Sequence, residues 1–244
     1  MYTSEDGKLF NDTTRLGREL WTKSSNIEGF NTDPKMVSIM LYRRLWSHHR
    51  AFTLLYNAHL NTDADNALRN SIEAAICIAA NFRQPDGLWH QLKLDAVKTL
   101  VGQINIFREF GWKELERDAE AQRRDLVKGL PEGQKGEQLK MDTLATAGEV
   151  PELYRWYRQL SGTSTHVSGL SILRGIVPGG TPDVPDPITV ETRRAYPFWQ
   201  IGCTIIASRM HSAIIEDWDS MGVAIELATR LDERSAALWG DDAS

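Results

Sequence analysis

The sequence predicts an all-α protein, a single multi-helix bundle. Apolar residues recur at three- and four-residue steps along most of the chain. Cap residues, prolines and glycines punctuate that pattern at helix-length intervals. No pair of alternating runs joined by a tight turn announces a β-hairpin, and no internal repeat is present. The chain has 244 residues, 41% of them hydrophobic and 25% charged, as in an ordinary globular protein. We read residues 1–32 as an N-terminal arm with a short helix, and residues 33–244 as one all-helical domain.

Each element has its own signal. Asp33-Pro34 is a helix start, an N-cap residue followed by Pro at the first helical position. Val37, Met40, Leu41, Leu45, Phe52 and Leu55 then mark one face as far as about Leu60. Thr62 with Asp65 caps the next helix, which carries Leu68, Ile72, Ala75, Ile76 and Ala79 and stops near Arg83. Pro85-Asp-Gly87 opens a third long helix through Leu94, Val97, Leu100, Ile104 and Phe107. Gly111-Trp112 separates it from a highly charged helix, Lys113 to Lys128, and the glycine-rich stretch 129–136 is a loop. Helices are expected at Lys140–Thr146, Val150–Leu160 and Thr163–Leu173, with a break at Ser161-Gly162. Residues 177–187 hold four prolines and two glycines and predict a long exposed loop. One or two helices from Val190 to Trp239, with a kink at Pro197, close the chain.

Composition excludes several classes. The formal net charge is −5, whereas general nucleic-acid binders are basic, so any RNA contact is expected to be local. The longest near-apolar run, Ala74 to Ala80, is too short to span a bilayer, and no membrane partner is expected. The first residues are polar and acidic, unlike a signal peptide. Cys77 and Cys203 fall within helical patterns and read as buried residues of a reducing compartment, so a cytoplasmic location is expected. There is no Glu-x-x-His and no His-x-x-x-His, so no metal is expected. No glycine-rich phosphate loop and no Gly-x-Ser-x-Gly elbow occurs, and no cofactor is expected.

Two constellations carry possible chemistry. In the first, Arg44 and His48 lie four apart on one helix, and Arg69 and Glu73 four apart on the next. A charge bordering a core face needs a partner, and Arg44 with Glu73 is the expected pair. The second is Tyr154-Arg-Trp-Tyr-Arg-Gln-Leu-Ser161 followed by His166. Arg155 and Arg158 are three apart, as are Tyr154 and Tyr157, so the guanidinium heads can converge. A neutral His removes the proton of a ribose 2′-hydroxyl, and an Arg holds the phosphate and the charge that develops on it. The same residues also serve as a plain structural joint. His211, Glu216, Asp217 and Asp219 read as a solvated face, and the tryptophans as core anchors.

The stretches Leu41-Tyr-Arg-Arg-Leu45, Ala64 to Ala75, and Tyr157-Arg-Gln-Leu-Ser161 with His166 resemble the bacterial domain of unknown function 5677 family. That family looks related to the HEPN-like all-helical proteins. The resemblance implies a HEPN-like bundle, a homodimer, and a metal-independent ribonuclease of the toxin–antitoxin or phage-defence kind. It implies His166 as general base, Arg158 as phosphate stabiliser, Arg155 as a phosphate contact and Ser161 as a polar helper. Arg44, Arg69 and Glu73 would hold the helices beneath. The HEPN signature places four to six residues between Arg and His; here seven separate Arg158 from His166. Arg43 to His48 and Arg44 to His49 fit four, but mid-helix. The alternatives are a non-catalytic helical module that binds a protein partner, and a small-molecule binder lined by Trp and Tyr.

Overall fold

Helix α3 (Asn61–Arg83) is the axis around which the other helices are arranged. From Ser71 to Asn81 every residue but Glu73 is buried, and a helix apolar on all sides belongs at the centre of a bundle. The computed structural model describes residues 3–27, 34–128, 130–131, 133–163 and 187–239. Among the described residues the fold is all-α, helices joined by turns and one irregular stretch before α6, with no strand. The other helices are α1 (Ser4–Ser24), α2 (Lys35–Asn57), α4 (Pro85–Glu109), α5 (Lys113–Val127), α6 (Met141–Ala147), α7 (Pro151–Thr163), α8 (Pro187–Ile215) and α9 (Trp218–Trp239).

α3 packs most extensively on α2, then on α8, with α6 and α7 on a further side. The main core joins Tyr42, Leu45 and Phe52 of α2 to Leu68, Ile72, Ile76 and Ile78 of α3 and to Leu153 and Leu160 of α7. The α6–α7 corner can approach because Gly148 has no side chain. A Cβ there would stand 2.7 Å from the Ala79 Cβ and 2.9 Å from the Ala80 nitrogen. The distal half of α4 and α5 pack on each other around a separate small cluster of Leu100, Ile104 and Ala119.

Four helices end the same way. His59, Gly111, Glu149 and Glu216 each have φ between 58° and 70°. In each case the next residue's N–H returns to a carbonyl five positions back, as from Val150 to Ala145 at 2.9 Å and from Asp217 to Ser212 at 2.9 Å. This is the glycine-favouring helix stop, yet glycine fills only one of the four. That is why the α8–α9 boundary, at Glu216, is silent in the sequence.

The arm expected at 1–32 is corrected: α1 is a 21-residue helix and part of the bundle. Thr3 and Asp6 form its capping box. Leu9 and Leu16 pack with Ile201, Ile205, Ala224 and Leu227, and Leu20 enters the main core. Asp6 pairs with Arg234, Asp12 with Arg230 at 2.9 Å and Lys23 with Asp217 at 2.9 Å, so α1 runs antiparallel to α9. The Arg234 guanidinium holds the Asp6 carboxyl down at about 2. These partners lie some two hundred residues away in the chain, beyond any local pattern.

Two other expectations change. α7 continues through Ser161 and Gly162 to Thr163, so there is no break at Gly162. α8 begins at Pro187 and passes through Pro197 without ending. The expected helix Thr163–Leu173 and the loop 177–187 lie, from residue 164 to residue 186, outside the described residues.

Candidate functional site

The two sequence constellations converge on one rim of α3. Arg69 is the hub. Its Nη2 lies 3.0 Å from Glu73 Oε1, one turn on. It donates from Nε to Ser161 Oγ at 3.0 Å and from Nη2 to the Tyr157 hydroxyl at 2.9 Å, both on α7. The guanidinium also lies over the Tyr157 ring, 4.8 Å from its centroid. Tyr154 stacks against Tyr157 with centroids 6.1 Å apart. The expected Arg44–Glu73 pair is therefore corrected: the ion-pair partner of Glu73 is Arg69. Position i+4 on the same helix gives Arg69 fixed reach, whereas Arg44 is exposed on α2 and acts on Glu73 through space.

Glu73 is half-buried, and its carboxyl is raised: desolvation outweighs the lowering pull of Arg69 and then Arg44. Cys77, one turn further into the core, is pushed up to about 12 by burial, with Glu73 adding to the rise. Arg155 and Arg158 stand on the exposed side of α7, in no ion pair among the described residues. Ser161 is committed to Arg69 and belongs to the frame. His166, the proposed base, lies outside the described residues.

Arg44 links this rim to a cleft between α2 and α4 of about 600 Å³. Met40, Leu41, Trp89 and Leu92 line its apolar part, and Arg43 and Arg44 its cationic end, with His48 beside them. Burial, and then Arg44, lowers the His48 pKa, so the ring is neutral near pH 7. Of the two Arg-x4-His pairs, Arg43 with His48 opens onto the cleft. His49 turns the other way and is fully buried.

His49 and His211 form interior polar joints that the sequence reading missed. His211, expected on a solvated face, is corrected: it is completely buried and stacks on Tyr42 at 4.4 Å. Its Nε2 meets Ser24 Oγ and its Nδ1 meets Ser38 Oγ, each at 2.7 Å. Ser24 spends its own proton on the Leu20 carbonyl, so His211 donates from Nε2 and accepts at Nδ1. His49 repeats the arrangement. Its Nε2 lies 2.9 Å from Thr14 Oγ1, which donates to the Phe10 carbonyl. Its Nδ1 faces Thr204 at 3.0 Å and the Gln200 amide at 3.3 Å. Desolvation pushes His49 down to about 4 and His211 to about 3. The available signal was Gln200, Thr204, Ser208 and His211-Ser212, a polar row recurring at helical spacing on α8.

Most of the aromatic residues serve packing. Trp156 of α7 stacks on Trp199 of α8 with centroids 5.5 Å apart, and Trp46 is buried beside His49. Cys77 and Cys203 are free thiols in the core. No helix among the described residues is long and apolar enough to cross a membrane, and no group of three or more His, Cys, Asp or Glu among them could hold a metal ion.

Fold and rim together define an all-α helical bundle with an arginine-rich polar joint between α3 and α7. Compared with known proteins, the chain matches no family model, no curated protein and no solved structure.

Proposed function

We propose that this chain is a metal-independent RNA-cleaving or RNA-binding protein of a bacterial defence or stress system, built as a HEPN-like bundle. One observation carries the reading. Arg155 and Arg158 share the exposed side of α7, and that helix is fixed to α3 by the grip of Arg69 on Tyr157 and Ser161. Two exposed guanidinium groups three residues apart on one helix suit a phosphodiester, and local cationic charge answers the acidic balance of the whole chain. In this reading Arg158 stabilises the phosphate, Arg155 contacts it and His166 is the general base. Arg69 and Glu73 position the helix, and Arg44 extends the cationic surface beside His48.

The runner-up is a non-catalytic module for a protein partner. It is favoured by how completely Arg69, Glu73, Tyr157 and Ser161 satisfy one another, as a structural joint would. A small-molecule pocket lined by several tryptophans has less support, since Trp89 alone of them lines the α2–α4 cleft.

The test is cleavage of a mixed tRNA and mRNA pool in EDTA by the wild type, His166→Ala and His48→Ala. Expected are 2′,3′-cyclic phosphate ends from the wild type, lost in His166→Ala and kept in His48→Ala. Loss in His48→Ala alone moves the chemistry to the cleft. No cleavage by any of the three leaves the module as the function.

A further inference from the structure

The cleft between α2 and α4 sorts its lining by chemistry along its length. Met36, Met40, Arg44 and Ser47 succeed one another at helical steps, so one face of α2 passes from apolar to cationic. None of the ten described residues that line the cleft is acidic, in a chain whose net charge is −5. Arg43 and Arg44 are exposed, and no ion pair among the described residues takes either of them. Arg44 acts on Glu73 through space, but the ion pair of Glu73 is with Arg69. The apolar part is open as well. Met40 is 56% exposed, and Leu41, Trp89 and Leu92 are each partly in solvent. Unpaired cations beside open apolar surface are complementary to a molecule that is anionic at one end and apolar in the rest.

We propose that this cleft binds a small amphipathic carboxylate, with its head on Arg43 and Arg44 and its apolar body between α2 and the Trp89–Leu92 side of α4. Guanidinium groups match a planar carboxylate, and no acidic side chain in the lining competes for them. The volume of about 600 Å³ lies within the range of small-molecule sites, roughly 300–1,000 Å³. The shape disfavours a partner helix. Trp89 and Leu92 are less than one turn apart, so α4 walls only about 5 Å of the cleft, whereas a docked helix needs anchors along about two turns. From Met36 to Arg44, α2 rises about 12 Å at 1.5 Å per residue, room for a medium-length alkyl chain or a fused pair of rings. Met36 and Met40 give that wall side chains that adapt to either. Lys93 lies over the Trp89 ring, 5.1 Å from its centroid, and supports the indole on the α4 side. The polar anchor is a pair of arginines, so the site is not a tryptophan cage, and it rests on no part of the RNA reading.

Isothermal titration of the 244-residue chain tests it, with thermal unfolding as the control for folding. The probes are octanoate and 2-naphthoate, each paired with its uncharged analogue, octan-1-ol and 2-naphthol. Saturable one-to-one binding of a carboxylate is expected, at least about tenfold tighter than its uncharged analogue. Whichever acid binds more tightly tells an alkyl body from a ring. Arg43→Gln with Arg44→Gln is expected to bring the acid down to the affinity of the uncharged analogue, with the analogue's own binding and the unfolding transition unchanged. Met40→Glu, at an exposed position, is expected to weaken both members of the pair. The inference is overturned if neither acid binds saturably, if acid and analogue bind equally, or if either variant binds the acid as the wild type does. The titrations contain no RNA, so their failure is distinguishable from failure of the RNA reading.

Discussion

His49 and His211 sit where no water reaches them; Arg69 and Glu73 sit at the rim of α3 with part of each side chain in solvent. Both groups set polar atoms beside an apolar core. The interior pair does so with neutral rings, each held between hydroxyl or amide groups of other helices. The rim pair keeps its charges and adds a tyrosine and a serine. Depth decides between the two solutions. Full desolvation of a charge costs far more than a hydrogen bond returns, so deep sites use imidazole and hydroxyl. At the rim, water screens the remaining penalty and an ion pair persists. The comparison also separates stability from chemistry. The interior joints are closed, whereas the rim helix α7 carries exposed arginines.

The sharpest way to break the comparison is pH. Both histidines have folded pKa values below the ordinary 6.5, at about 4 and about 3. The unfolded chain therefore binds more protons than the folded one between those limits. Stability is complete above pH 6.5 and is lost as pH falls toward 4. The expected slope is roughly 1.4 kcal/mol per pH unit for each histidine, and the total reaches several kcal/mol. Urea unfolding between pH 4.5 and 7.5 measures it, and His211→Gln should remove about half of the slope. A flat profile would mean that the imidazoles are not held neutral.

A smaller effect is expected at the rim. Arg69→Met removes the hydrogen bonds to Tyr157 and Ser161 and the pair with Glu73. At this partly exposed site the cost is about 1–2 kcal/mol. RNA binding should fall by more than stability does, because α7 loses the contact that orients Arg158. Equal binding by the variant and the wild type would assign Arg69 to packing alone.

The smallest effect tests the course of α7. Gly162 lies inside the helix, without positive φ, and an added Cβ meets nothing within 4 Å. Gly162→Ala should therefore stabilise the protein by about 0.5–1 kcal/mol. Destabilisation of that size in a thermal melt would restore the break expected from the sequence.

The sequence by itself determined the helices. Periodicity is local, so the helices α2 to α5 and the burial of the two cysteines were legible from apolar spacing, whereas the central place of α3 and the packing of α4 on α5 were not. Helix ends were legible where glycine or proline marked them, at Gly111 and Pro85. They were hidden at Glu149 and Glu216, where an ordinary residue takes the left-handed conformation. The rim was half legible. Arg69, Glu73, Tyr157 and Ser161 stood out as residues, but their pairing did not, since Arg69 and Ser161 are 92 positions apart. The histidine joints were illegible: His49 and Thr204 are separated by 155 residues, and Ser24 and His211 by 187. A helical repeat tells which residues share a face, but not which helix that face will meet. Only the packing of α1, α2 and α8 decided that two histidines would be interior and neutral, because burial is a property of the assembled bundle and not of any one segment.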